Sequence, residues 1–319
     1  EYTNAGADLI KKIAPDKTVI GLGSNTPTNF HALNLGVSPQ LDGVVDHPYT
    51  YSLPPEKVPF GWNLAERDGI RVGDAENTFA GLIGSYREQF RKTGKMRTVW
   101  ITEFGFTGFW FDGKNETGLY AGFTEEAQAV YLVRRFIEGL ALPVAVSCQY
   151  DFLDDYGSGE HDAESNFGLL RADYSRKPAF YAVRWMNMLL HNAQPDPAAK
   201  VKVTAAPLHR SAQRGELIRD WDKQSIAAAN GVRAYAFSDP AAPRERMLAV
   251  WSMQPYGREF NNRAVTLEIG GWERFAGLPA AVDLITGDCF GIPFEVKDGR
   301  LRIENLPLKE HPLLITFRE

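Results

Sequence analysis

The chain has 319 residues, of which 44% are hydrophobic and 24% charged, a composition that is typical of a globular protein with one large domain or two ordinary ones. Its net charge of −5 argues against nucleic acid or an anionic membrane surface as the main partner. No apolar run approaches the roughly 20 residues that span a bilayer. We therefore predict neither a nucleic-acid nor a membrane partner.

Neither the first residues nor the cysteines identify a cellular compartment. No signal peptide is visible, and because the chain opens with Glu1 instead of Met we expect the native N-terminus to lie upstream, so the localisation is left unknown. Cys148 and Cys289 match no metal-ligand spacing. We expect two buried free thiols, no metal site and no cofactor.

Helix and strand patterns alternate through the first part of the chain. Four strand–helix units follow a leading helix, which predicts a parallel sheet in either a barrel or a doubly wound fold. Thr124 is the expected N-cap of the helix that it precedes. The predicted helices are 1–13, 78–93, 125–140 and 179–190, and the predicted strands are 18–22, 41–46, 98–102 and 144–150.

The pattern changes after about Asn192, where Pro195 and Pro197 indicate a linker. Short runs with β propensity then alternate with turns, which predicts an antiparallel sandwich of about seven or eight strands. We therefore divide the chain into domains 1–192 and 193–319. The predicted strands are 201–204, 232–237, 247–252, 264–269, 280–284, 301–303 and 313–317.

An acidic residue, Glu103, follows the hydrophobic strand 98–102 in the sequence Thr-Glu-Phe-Gly. In parallel α/β folds the carboxyl ends of the strands form the active face. A carboxylate there is costly to remove from water unless it is used or paired. Position alone leaves two interpretations open, a catalytic carboxylate or a capping, salt-bridged glutamate at a strand end.

Polar and aromatic residues follow the neighbouring strands. His47 and Tyr49 come after strand 41–46, and Tyr150 and Asp151 end strand 144–150, so all four should face the same opening as Glu103. A hydrogen bond from His47 or Tyr49 would stabilise the ionised carboxylate. The alternatives are a turn or core histidine and a tyrosine packed under the next loop.

These segments, taken in order, resemble the retaining glycoside hydrolases of the large (β/α)8 clan, especially family 39 and the neighbouring family 5. The resemblance implies that the first domain is the second half of a TIM barrel, strands five to eight, and that a β-sandwich domain follows it. The matching segments are His47-Pro48-Tyr49, Thr102-Glu103-Phe104-Gly105, the strand through Asp151, residues 166–170 and 177–181, and residues 283–287 and 312–316 of the β-domain.

The resemblance also implies a reaction, hydrolysis of a glycosidic bond by double displacement with Glu103 as nucleophile. The acid/base, a Glu after an Asn on the fourth strand, is expected upstream of residue 1, so the missing N-terminal half of the barrel is a further expected partner, as another segment or chain. A carbohydrate substrate would be compatible with a secreted or periplasmic location. The substrate-binding residues implied are His47, Tyr49, Trp110, Tyr150 and Asp151.

Two other functions remain open at this point. A non-catalytic carbohydrate-binding protein on a degenerate barrel would bind without hydrolysis. An enzyme of another class on an α/β sheet, such as a metal-dependent hydrolase, is disfavoured because the sequence has no metal-ligand spacing, no Gly-rich phosphate loop and no Gly-x-Ser-x-Gly elbow. Trp110 could equally stack on a sugar ring or close the core of its own loop.

Overall fold

A computed structural model describes residues 1–23, 26–50, 53–58, 72–109, 124–159, 162–206, 231–256 and 263–319. Trp110 lies outside these ranges. The first part of the described chain forms helices α1 (Tyr2–Ile13), α2 (Thr26–Leu35), α3 (Phe79–Lys92), α4 (Glu125–Ala141) and α5 (Pro178–Leu189), and strands β1 (Ile20–Gly21), β2 (Gly43–Asp46), β3 (Thr98–Phe104) and β4 (Val144–Gln149).

The four strands form one parallel sheet in the order β1-β2-β3-β4. Two of the helices behind it begin at threonines whose hydroxyls accept backbone N–H groups: Thr78 Oγ1 from Gly81 at 2.9 Å, and Thr124 Oγ1 from Ala127 at 3.2 Å. The predicted N-cap at Thr124 is confirmed, as is the α/β class. Two 3₁₀ turns, 156–158 and 164–166, follow β4.

Strand β2 shows how the sheet separates its two faces. Val44 and Asp46 are buried on the side that the helices cover, whereas Val45 and His47 are only partly buried on the other side. This follows from the two-residue period of a strand. Adjacent residues at the strand tip therefore have different surroundings: Asp46 faces the helices, and His47 faces the open side.

The second part of the chain is a two-sheet antiparallel sandwich, as predicted. Its strands are β5 (Gln194–Pro195), β6 (Lys200–Ala205), β7 (Val232–Ser238), β8 (Glu245–Ser252), β9 (Arg263–Gly270), β10 (Ala280–Asp283), β11 (Cys289–Gly291), β12 (Glu295–Lys297), β13 (Arg300–Leu308) and β14 (Leu313–Arg318). One sheet has the order β11-β10-β14-β8-β7-β5 and the other β12-β13-β9-β6. The short strands β5, β11 and β12 were not predicted.

Strand β8 lies in the middle of the molecule and packs on both faces. Leu248 and Val250 contribute to the core between the two antiparallel sheets. Met247, Ala249 and Trp251 belong instead to the large core that includes the helices of the α/β part. Because alternate residues of one strand serve two cores, the β-sandwich is packed onto the α/β part through the six-stranded sheet.

A fully buried ion pair of the α/β part lies at this contact. The Arg134 guanidinium of α4 donates to both carboxylate oxygens of Glu56, at 2.7 and 2.6 Å, and both side chains are 0% exposed. Trp251 Nε1 of β8 donates to the same carboxylate at 2.6 Å. Arg134 also donates to the carbonyl oxygens of Met253 and Gln254, at 2.9 and 3.0 Å. Both parts of the molecule therefore satisfy the same buried charges.

One expectation from the sequence is wrong. Cys148 and Cys289 are free, as expected, but both are exposed. Cys289 lies on the short edge strand β11, whose three residues are all exposed, and Cys148 lies on β4, where every described residue is at least partly accessible.

None of the helices in the described ranges combines the length and the apolar character that a membrane span requires.

Candidate active site

Glu103 and His47 meet at the carboxyl ends of β3 and β2. His47 Nδ1 lies 2.8 Å from Glu103 Oε2, and the two side chains are 22% and 33% exposed. The carboxylate is therefore paired but still accessible from solvent. A carboxylate that attacks a substrate needs both properties, since hydrogen bonding holds its rotamer and its ionised form while accessibility admits the substrate.

The second ring nitrogen of His47 is also occupied. His47 Nε2 lies 2.8 Å from Thr102 Oγ1. In the neutral ring that suits both contacts, Nδ1 carries the proton and donates to Glu103, while the Thr102 hydroxyl donates to Nε2. Thr102 and Glu103 are adjacent on β3, so the imidazole spans two successive side chains of one strand and its ring plane is fixed from both ends.

An irregularity in β3 allows Glu103 to reach this position. Strict alternation would place Glu103 on the same face as Val99 and Ile101, which are buried against the helices. The pairing with β4 shifts between Ile101 and Phe104, where three steps along β3 oppose two along β4. An extra residue of this kind turns the following side chain toward a different face. The shift directs Glu103 toward the opening, and Phe104 into the core.

Asp46 lies beneath His47, and its side chain is 0% exposed. Its carboxylate accepts hydrogen bonds from Thr26 Oγ1 (2.9 and 2.8 Å), from the Tyr86 hydroxyl (2.6 Å) and from the His47 backbone N–H (2.8 Å). Burial raises the pKa of Asp46 to about 6 against the opposing effect of these donors. Burial and the neighbouring Asp46 charge raise the pKa of Tyr86 well above 10, so its hydroxyl remains a donor.

Three aromatic rings lie next to this pair: those of the partly buried Tyr49 and Tyr150, and that of Phe167, which is buried. The ring of Phe167 meets Tyr49 edge-on at 6.1 Å and Tyr150 at 5.4 Å. The peptide bond between Tyr150 and Asp151 is cis. Asp151 Oδ1 accepts the backbone N–H groups of Phe152 and of Leu153 (3.2 Å), so part of this carboxylate already stabilises its own loop. The structure thus groups Tyr49 with Tyr150, while the binding role of Asp151 stays a prediction.

The loop after Glu103 is tied to the loop after β4 by Gln128 of α4. The Gln128 side-chain amide donates to the carbonyl oxygens of Phe106 (2.9 Å), Phe167 (3.1 Å) and Gly168 (3.3 Å). The side chain is fully buried. One amide therefore holds together the two segments that carry Glu103 and the aromatic rings, so a shift in either loop would be felt in the other.

The negative charge of Glu103 acts on two residues that follow β4, Tyr150 and Glu164. Burial raises the pKa of Tyr150, and the charges of Asp151, Glu164 and Glu103 raise it further. The pKa of Glu164 is raised in the same way, first by burial and then by Asp162 and Glu103. Glu164 thus lies within electrostatic range of Glu103. Among the described residues, no group of three or more His, Cys, Asp or Glu side chains could hold a metal ion.

The sequence pattern identified some members of this site and missed others. Strand-tip position pointed to Glu103, His47, Tyr49, Tyr150 and Asp151. It did not single out Thr102, because a threonine in a strand is ordinary, or Gln128 and Tyr86, which come from helices. The residue directly before His47 carried one usable signal: Asp46 is an acidic residue on the apolar face of a buried strand, where a carboxylate needs partners.

The overall arrangement matches known glycoside hydrolases. A family 39 glycoside hydrolase from the gut symbiont Bacteroides cellulosilyticus WH2 superposes with a TM-score of 0.60 at 20% sequence identity, over 99% of this chain and 54% of the other. A glucosidase from Croceicoccus marinus superposes with a TM-score of 0.50 at 14% identity, over 99% of this chain and 63% of the other. No protein-family model and no curated protein matches the sequence.

This chain therefore spans between half and two thirds of the length of those two enzymes. At these identities the likeness concerns the fold. The predicted resemblance to barrel glycoside hydrolases with an added β-domain is confirmed at that level: the chain has an α/β fold like theirs, followed by an antiparallel β-domain.

Proposed function

We propose that this protein is a glycoside hydrolase that cleaves a poly- or oligosaccharide with retention of configuration, and that Glu103 is its nucleophile. The observation that carries the proposal is the 2.8 Å contact between His47 Nδ1 and Glu103 Oε2 at adjacent strand tips. The fold that the chain shares with glycoside hydrolases supports the substrate class. His47, Tyr49, Tyr150, Asp151 and Trp110 are the proposed substrate-binding residues.

In the proposed reaction, a Glu103 oxygen attacks the anomeric carbon and the bond from that carbon to the leaving oxygen breaks. His47 keeps the carboxylate oriented through Nδ1–H. A second carboxyl group, about 5 to 5.5 Å from the first, would protonate the leaving oxygen and then activate water. We assign that group to a segment or chain that completes a (β/α)8 barrel around the two edges of the parallel sheet, β1 and β4.

Covalent trapping tests the nucleophile without needing the second carboxylate. In 2,4-dinitrophenyl 2-deoxy-2-fluoro glycosides the phenolate leaves with its electron pair and needs no proton, and the fluorine slows hydrolysis of the ester. We would incubate the protein with both anomers of the gluco, galacto, manno and xylo compounds. We expect dinitrophenolate release, a mass increase of one glycosyl group, and peptide mapping of the label to Glu103.

Glu103→Gln should take up no label, since a neutral amide does not attack the anomeric carbon. Glu164→Gln is the matched control, because it makes the same chemical change on a neighbouring carboxylate at the opening and should still be labelled. Labelling of Glu103→Gln at the wild-type rate would exclude Glu103 as nucleophile. Oligosaccharide binding without labelling of either protein would instead favour a carbohydrate-binding protein.

A further inference from the structure

The buried carboxylate of Asp46 has no chemical role in the reaction proposed above, yet it lies directly behind the pair that does. Asp46 and His47 are adjacent at the tip of β2 and face opposite sides of the sheet. One short stretch of backbone connects the two side chains. Any contact that holds this stretch in place therefore also fixes the position from which the imidazole extends.

Asp46 holds this segment through a hydrogen bond to the next residue. Its Oδ1 accepts the His47 backbone N–H at 2.8 Å. The carboxylate is itself held from two helices, by Thr26 Oγ1 of α2 at 2.8 Å and by the Tyr86 hydroxyl of α3 at 2.6 Å. Asn29 Nδ2 in turn donates to the Tyr86 hydroxyl at 3.0 Å. The position of the His47 backbone is thus set by contacts with α2 and α3, and not by the loop that follows it.

We propose that Asp46 is a positioning residue for the active site, holding the His47 imidazole so that Nδ1–H meets the Glu103 carboxylate. This role rests on the function proposed for Glu103. Thr26 and Tyr86 support it by fixing the Asp46 rotamer. Hydrogen bonds thus join helices α2 and α3 to Asp46 and Asp46 to the His47 backbone, the covalent bonds of His47 lead to its imidazole, and a further hydrogen bond joins the imidazole to the nucleophile.

The environment of Asp46 is unfavourable for a residue that only fills space. Burying a carboxylate costs free energy that an apolar side chain of similar size would not. Burial raises its pKa to about 6, so the carboxyl group is mostly ionised at pH 7 despite being fully enclosed. Groups with strongly perturbed pKa values cluster at functional sites. A carboxylate suits this position because its two oxygens together accept one backbone N–H and two hydroxyl groups.

The first test measures how fast Glu103 is labelled by the most reactive dinitrophenyl 2-deoxy-2-fluoro glycoside. Asp46→Ala removes the acceptor for the His47 N–H, and we expect the maximal labelling rate to fall 10- to 100-fold, with the half-saturating concentration changed less than about threefold. Asp46→Asn keeps one oxygen and should recover most of the rate. Asp42→Asn, at the residue directly before the same strand, is the matched control and should label like wild type.

The second test does not depend on turnover. Protein labelled with ¹⁵N-histidine, with His47→Gln to assign the signals, reports the tautomer and the hydrogen bonding of the His47 ring. We expect the wild type and Asp46→Asn to show one Nδ1–H tautomer, and Asp46→Ala to show averaged ring signals. Unchanged ring signals together with an unchanged labelling rate in folded Asp46→Ala would overturn the positioning role. If Asp46→Ala loses the single Nδ1–H tautomer but the wild type is not labelled, the proposed function is overturned, whereas the effect of Asp46 on the His47 ring is not.

Discussion

Two aspartates bracket strand β2, and their surroundings shift their pKa values in opposite directions. The hydrogen bond from Lys11, together with the Val19 backbone N–H, lowers the pKa of Asp42 to about 2. Burial raises that of Asp46 to about 6. Although Asp42 and Asp46 have the same type of side chain, they therefore stabilise the folded protein in different pH ranges.

The sign of each contribution follows from linkage between proton binding and folding. The contribution of Asp42 is present above its ordinary pKa of 3.8 and is lost as the pH falls through about 2. That of Asp46 is present below 3.8 and is lost as the pH rises through about 6. For the buried Asp46, the difference between 3.8 and about 6 corresponds to about 3 kcal/mol.

We therefore expect Asp46→Asn to gain stability relative to wild type as the pH rises from 3 to 8, by about 3 kcal/mol. The amide cannot ionise, so it does not bear the cost of a buried charge at neutral pH. Urea denaturation followed by fluorescence at several pH values measures this. Asp42→Asn should show the opposite trend, losing stability relative to wild type as the pH rises from 3 to 5. If the free energy of unfolding depended on pH in the same way in Asp46→Asn and in wild type, the raised pKa of Asp46 would be contradicted.

At the scale of elements, the end of β3 shows what the sequence could predict and what it could not. The apolar run 98–102 and the Glu after it predicted a strand and its functional tip. The structure extends the strand to Phe104 and shifts its pairing with β4 before that residue. A shift of pairing depends on the partner strand, so a pattern within one strand cannot reveal it. The orientation of Glu103 became clear only with β4 in place.

The residue after this strand, Gly105, has a structural role that the sequence alone did not indicate. A Cβ atom at this position would collide with the Tyr150 carbonyl oxygen and lie 2.8 Å from Phe167 Cδ1. Tyr150 N–H donates to the Phe104 carbonyl at 2.7 Å. The loops after β3 and β4 therefore approach closely at a point where only glycine leaves enough space.

We expect Gly105→Ala to destabilise the protein by about 1–3 kcal/mol, because backbone or the Phe167 ring must move to admit the methyl group. The labelling rate of Glu103 should fall as well, since a shift of Tyr150 would be passed to Phe104, the residue after Glu103, through their hydrogen bond. Gly84→Ala makes the same change in the exposed middle of α3, where nothing lies within 4 Å, and should stabilise by about 0.5–1 kcal/mol. Equal stability of the two variants would refute the close-approach argument.

At the scale of the whole molecule, the sequence predicted that the chain has two parts, but not how these parts pack together. The change from helical to strand periodicity near residue 192 predicted an α/β part and a sandwich. The division at residues 192 and 193 stays a prediction, because one large core contains residues from both parts, among them Val133 of α4 and Trp251 of β8. Contacts between segments more than a hundred residues apart leave no trace in local periodicity.

The buried charges at this junction were equally invisible in the sequence. Burial alone would raise the pKa of Glu56, but the Arg134 charge and the hydrogen bonds from Arg134 and Trp251 bring it below its ordinary value. Glu138 is also fully buried there, where Arg233 Nε (3.3 Å) and the Tyr235 hydroxyl (3.1 Å) contact its Oε1. Residues of α4 and of the six-stranded sheet thus depend on each other for charge compensation.

This mutual dependence predicts that the α/β part and the sandwich unfold together. Glu56→Gln leaves the Arg134 guanidinium buried without its counter-charge, and we expect the free energy of unfolding to fall by about 3–5 kcal/mol. Calorimetry should show one transition for the wild type, because separating the two parts would expose the apolar core that they share and break the hydrogen bonds that join the ion pair to Trp251, Met253 and Gln254. Glu88→Gln makes the same change in an exposed pair with Lys92, whose side chains are both 65% exposed, and should leave the transition unmoved. Two independent wild-type transitions, or equal effects of the two substitutions, would show that the buried pair does not couple the two parts.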